Sequence, residues 1–82
     1  MEKTFVLFHD DLDGIMSMYA AWLKFGSENV EYIKVQYGKP FPISDDQLNK
    51  DVRIYILDFS YQKQFMIELN DKVKKLLVID HH

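Results

Sequence analysis

The chain has 82 residues, 48% of them hydrophobic and 28% charged, with no cysteine and a formal net charge of −3. A chain of this length supports one small domain, which buries only roughly 60–65% of its unfolded surface. The balance excludes a disordered chain, a disulfide scaffold and a broad basic surface for duplex nucleic acid, and no apolar stretch reaches the length of a membrane-spanning helix.

Residues 4–8, Thr-Phe-Val-Leu-Phe, form a continuous β-prone run, the signature of a strand buried on both faces and hence inside a sheet. His9-Asp10-Asp11-Leu12-Asp13-Gly14 follows it. From Gly14, the apolar residues Ile15, Met18, Tyr19, Trp22 and Leu23 recur at helical spacing and read as the stripe of a helix laid on the sheet. Gly26 is placed to end that helix. Residues 30–35 alternate less cleanly, with Glu31 and Lys34 among apolar neighbours, and suit a strand nearer the edge. Residues 37–50 hold Gly38, Pro40 and Pro42 and read as loop, in which Ser44-Asp45-Asp46 caps a short helical turn containing Leu48.

Residues 53–57 give a third strand that runs into Asp58. Ser60 or Tyr61 opens a second helix, with Phe65, Met66, Leu69 and Val73 as its buried stripe. Residues 74–79 complete a fourth strand, followed by Asp80-His81-His82. The order β-α-β-loop-β-α-β implies right-handed crossovers and an α/β domain, a parallel β-sheet flanked by helices, spanning residues 1–82.

Three strands thus deliver acidic residues and histidines to one place, the carboxyl edge of a parallel sheet, where ligands bind in such folds. Carboxylates gathered there repel one another, and a bound cation relieves the repulsion. A mixture of imidazole and carboxylate suits manganese, magnesium, iron or zinc. His9, Asp11 and Asp13 alternate, so a turn aims them together while Asp10 and Leu12 point elsewhere, and Gly14 lets the backbone pass close by. One or two acids at a helix start need no metal, since the macrodipole favours them, but three beside a histidine exceed that need. An aspartate ending a strand is often only the cap of the next helix. Ser60 can take that role and leave Asp58 as a ligand able to bridge two ions. Lys72, Lys74 and Lys75 read as a solvated helix end, and Tyr61 is the aromatic residue placed for a substrate contact.

His9-x-Asp11-x-Asp13-Gly14, then Asp58 in Ile-Leu-Asp-Phe-Ser-Tyr, then Asp80-His81-His82, resembles motifs one to three of the DHH phosphoesterase superfamily over the whole chain. Gln36-Tyr37-Gly38-Lys39-Pro40 and Asp58-Phe59-Ser60-Tyr61 are similar to its oligoribonuclease and cyclic-nucleotide phosphodiesterase branch. The resemblance implies a manganese-dependent nuclease or phosphodiesterase, a hydrolase acting on a short oligonucleotide or nucleotide, and with no cysteine and no basic-then-apolar leader a cytoplasmic setting is the default expectation. His9, Asp11, Asp13, Asp58 and His81 would hold two Mn2+ ions, with Mg2+ an alternative, and Asp58 would bridge them. Asp80 would orient His81, and His82 would lie at the scissile phosphate. Members of that family continue into a fourth motif with a further metal-binding aspartate and into a substrate-gripping domain. The chain therefore resembles the N-terminal part only, truncated after motif three and expected to be inactive by itself.

Two alternatives stand beside it. Asp11-Leu12-Asp13-Gly14 also resembles the nucleophile loop of haloacid-dehalogenase-type phosphatases, with Asp11 attacking and Asp13 as acid/base, although Ile15 stands where that family has threonine. Asp10, Asp11 and Asp58 resemble the acidic pocket of a non-catalytic phosphorylation receiver, but histidines stand after the fourth strand, and no lysine takes the receiver's place there.

Overall fold

The computed structural model describes residues 2–79. Its elements are β1 (Lys3–His9), α1 (Leu12–Phe25), β2 (Val30–Val35), a 3-10 turn at Asp45–Gln47, β3 (Val52–Leu57), α2 (Lys63–Lys72) and β4 (Lys75–Ile79). Among the described residues the four strands form one sheet in the order β2-β1-β3-β4, every pairing parallel. The α/β architecture read from the sequence is the one observed, with β1 inside the sheet and β2 at an edge. No helix among the described residues is long and apolar enough to cross a membrane.

Alternation along the inner strands divides the core in two. Phe5, Leu7, Ile54 and Ile56 face α2 and the loop before β3, where Ile43, Phe59, Leu69 and Val73 are buried with them. Phe65 and Met66 pack against that cluster as the periodicity predicts. Val6, Phe8, Tyr55 and Leu57 face the other way and meet Met18, Ala21 and Phe25 of α1.

The contact face of α1 differs from the predicted stripe. Gly14, Met18, Ala21 and Phe25 lie against the sheet, whereas Ile15, Tyr19, Trp22 and Leu23 are 40–65% exposed. Both sets recur at spacings of three and four, so periodicity alone could not choose between them. The choice is made at Gly14, where an added Cβ would lie 1.9 Å from the carbonyl oxygen of His9. Only a glycine lets the first turn of α1 come so close to the end of β1, and that approach sets which way the helix is rolled.

The start of α2 differs too. Gln62, and neither Ser60 nor Tyr61, occupies the N-cap position, with no side-chain hydrogen bond to the helix. Phe59 is buried in the core cluster on the α2 side and Tyr61 packs beside it at a ring separation of 5.0 Å, so packing holds residues 59–61 against the core before the helix begins. Gly26 ends α1 as expected, with φ 74° and its N–H donating to the Trp22 carbonyl.

Candidate functional site at the carboxyl edge

Phe8 and Leu57 are partners in the β1–β3 register, so His9 and Asp58 leave the sheet side by side. Asp58 adopts φ 59°, in the left-handed region that few non-glycine residues occupy, although aspartate tolerates it better than most. Its N–H donates to the Ile79 carbonyl at 2.6 Å, which ties the end of β3 to the end of β4. It is only 4% exposed, the one buried charged or polar residue among those described. Its carboxylate has no hydrogen bond or ion pair among the described residues, and it forms a wall of a pocket of about 510 Å³ shared with Asp13, Met16, Ser17 and Ala20. Asp58, after β3, and Asp13, in the first turn of α1, therefore line one cavity, and Asp58 is the buried one of the two.

Asp11 is the N-cap of α1. Its Oδ1 accepts the Gly14 N–H at 2.7 Å and its Oδ2 lies 2.7 Å from His9 Nδ1. A carboxylate at Nδ1 favours the tautomer protonated there, which leaves Nε2 with the lone pair a metal requires. The His9 ring is held between Tyr37, 5.4 Å away edge-on, and Phe59 at 5.5 Å. Asp10 turns aside, its carboxylate accepting from Gln36 Nε2 at 3.1 Å and its N–H donating to Val35. Asp13 sits in the first turn of α1, where the helix dipole favours its charge.

The structure thus brings together His9 with Asp11, and Asp13 with Asp58. Among the described residues, no three of these groups gather closely enough to hold an ion by themselves. Asp80, His81 and His82 lie outside the described residues; β4, which precedes them, ends beside Asp58. No protein family, curated protein or solved structure matches this chain.

Tyr37 is a member of the site that sequence reading left in a loop. It stacks on Phe59 at 4.3 Å and touches His9; the sequence carried it only within Gln36-Tyr37-Gly38-Lys39-Pro40, with no role assigned to its side chain. Tyr61 is placed by packing, in an aromatic cluster with Phe41, Phe59 and Phe65, and burial raises the pKa of its phenol. The three lysines have local partners. Lys72 pairs with Asp45 at 2.8 Å, Lys74 with Glu2, and Lys75 lies over the Tyr55 ring.

The donor set fits a hard divalent cation. Carboxylate oxygens with one imidazole nitrogen suit manganese or magnesium. Asp13 and Asp58 line one pocket, and a cation there would offset the repulsion between their charges.

Proposed function

We propose that this chain carries the metal-binding part of a DHH-type phosphoesterase site, and that the protein hydrolyses phosphoester bonds of short oligonucleotides or nucleotides with manganese. The observation that carries the reading is Asp58, a buried residue at the end of β3 held in a left-handed turn against the pocket that Asp13 also lines. His9, Asp11, Asp13 and Asp58 are the ligands assigned to the described part of the chain. His81 completes the set, with Asp80 orienting it and His82 at the phosphate.

Divalent ions held by His9, Asp11, Asp13, Asp58 and His81 would supply an activated water and neutralise charge on the phosphoryl oxygens. The chain's own contribution is positional. Asp11 sets the tautomer and angle of His9 while capping α1, so ligand geometry and helix start depend on one side chain. Gly14 holds that helix start against β1, and the low exposure of Asp58 strengthens its pull on any cation beside it. The net charge of −3 gives an anionic substrate no general attraction, which leaves the local cations to recruit it. The absence of cysteine is in keeping with a reducing, cytoplasmic setting.

Both alternatives use an aspartate differently. The aspartyl-phosphate reading leaves His9 and the buried Asp58 without a role, and Ile15 stands where that family has threonine, which favours the metal reading.

Hydrolysis of a 5′-labelled dinucleotide with Mn2+, with Asp58→Ala as control, tests the proposal. Manganese-dependent cleavage that the substitution abolishes supports it. Cleavage that persists in Asp58→Ala, or labelling of Asp11 by a phosphate analogue without added manganese, overturns it.

A further inference from the structure

The Tyr37 ring lies on Phe59 at a centroid separation of 4.3 Å with 30° between the planes, and Phe59 is itself buried in the core. The His9 ring is 5.4 Å from Tyr37, so the tyrosine borders a residue assigned to the metal. Tyr37 is nevertheless 61% exposed, because with one face on Phe59 the opposite face is open to solvent. Its backbone is fixed as well. The Asp10 N–H donates to the Val35 carbonyl at 3.3 Å and Gln36 Nε2 donates to the Asp10 carboxylate at 3.1 Å, which ties the end of β2 to the loop that carries Asp11 and Asp13. The Lys39 N–H donates to the Gln36 carbonyl at 3.3 Å and Gly38 has φ 82°, which makes a tight turn with Tyr37 at its first corner. An aromatic side chain held at ring and backbone, with one face bare, is a preorganised stacking surface, since little freedom remains to be lost when a ligand arrives. Residues 36–42 carry no carboxylate and one cation, Lys39, so this loop admits an anionic ligand that the net charge of −3 does not otherwise attract.

We propose that Tyr37 is a specificity-determining residue, on whose open face the nucleobase of the substrate stacks while the phosphoryl group of the same nucleotide sits at the ligands around His9. The position of the phosphoryl group rests on the phosphoesterase reading; the stacking surface rests on the geometry of Tyr37. Every base has a π-face, so stacking of this kind tolerates any base. It selects nucleotides over phosphoesters that carry no base, and does not choose among the bases. A side chain needed only to cover His9 and Phe59 gains nothing from being aromatic on its outer face, so an aliphatic residue of similar size distinguishes the two roles.

Proton magnetic resonance titrations in the presence of Mg2+, comparing adenosine 5′-monophosphate with ribose 5-phosphate, test it on the unaltered chain, Tyr37→Leu and Tyr37→Phe. Leucine keeps an apolar side chain beside Phe59 and His9 and removes the π-face. The expected result is that adenosine 5′-monophosphate binds about tenfold or more tighter than ribose 5-phosphate, with its adenine protons shifted upfield by the ring. Tyr37→Phe keeps that preference, and Tyr37→Leu abolishes it while the affinity for ribose 5-phosphate stays unchanged. Adenosine 5′-monophosphate binding no tighter than ribose 5-phosphate, or neither ligand binding, overturns the proposal. So does a preference that persists in Tyr37→Leu, which would put the base elsewhere, or an equal loss of both ligands in that variant, which would make Tyr37 only a support for His9. Repeating the titrations with a chelator separates the proposal from the reading beneath it. A Tyr37-dependent preference that survives removal of the metal supports the stacking site and counts against the metal site. Metal-dependent binding of both ligands without a preference for the base leaves the metal site standing and overturns the stacking site.

Discussion

Gly14→Ala separates the structural account from a reading by helix propensity, because the two predict opposite signs. Gly14 lies inside α1, and alanine in a helix interior is favoured over glycine by about 1 kcal/mol. An alanine Cβ would sit 1.9 Å from the His9 carbonyl oxygen, 2.7 Å from its carbon and 2.9 Å from its nitrogen. Unstrained carbon contacts lie near 3.5 Å, so the start of the helix must retreat by roughly 1.5 Å. The obstacle is strand backbone, which cannot move aside by changing rotamer. Overpacking of this kind costs about 1–3 kcal/mol or more, and the retreat also strains the Asp11 cap, worth about 1 kcal/mol. After the propensity gain, a net loss of roughly 3 kcal/mol is expected. A domain of this length holds about 4–12 kcal/mol in all, so the variant should melt about 12–24 °C lower. Urea titration followed by far-ultraviolet circular dichroism measures it. Unchanged or increased stability would refute the close approach of α1 to β1 and, with it, the explanation of how the helix is rolled.

Asp58→Asn keeps a residue that tolerates the left-handed turn but removes the carboxylate, so Mn2+ should lose its stabilising effect in thermal melts. Leu69, 2% exposed beneath α2, should cost about 2–5 kcal/mol on replacement by alanine, read by the same urea titration. Glu2 bonds to Lys74 and lies 2.9 Å from Arg53, and the Lys74 bond foremost lowers its pKa. Its charged form is the one the fold favours, so its contribution is present at neutral pH and is lost as pH falls below the ordinary value of 4.5. Melting curves of Glu2→Gln should therefore show a shallower loss of stability with acid than those of the unaltered chain.

The sheet was legible because its strands are short apolar runs bounded by turn residues. Continuous hydrophobicity in β1 marked an interior strand, and the charges of β2 marked an edge. Helix faces were less legible. α1 carries two apolar sets at the same spacing, and the close approach of Gly14 to the His9 backbone, which leaves no room for a Cβ, decided which set faces the sheet. The start of α2 was misplaced because Phe59 is drawn into the core, an effect of packing that no local signal announces. At the candidate site, residue types and spacing pointed to His9, Asp11, Asp13 and Asp58, but not to their division of labour. That Asp11 both caps the helix and holds His9, and that Asp58 is buried in a left-handed turn, follow from three-dimensional contacts alone. Tyr37 stood in a quoted loop segment, but its place beside His9 and Phe59 was not legible, because a tyrosine in a loop carries no periodicity.

Manganese titration by electron paramagnetic resonance, on the unaltered chain, Asp58→Asn and Asp10→Asn, tests the central claim directly. Asp10 has the same charge and lies on the same turn, but its carboxylate is bonded to Gln36. The account predicts that bound Mn2+ disappears in Asp58→Asn and is retained in Asp10→Asn. Equal binding in all three proteins would contradict it.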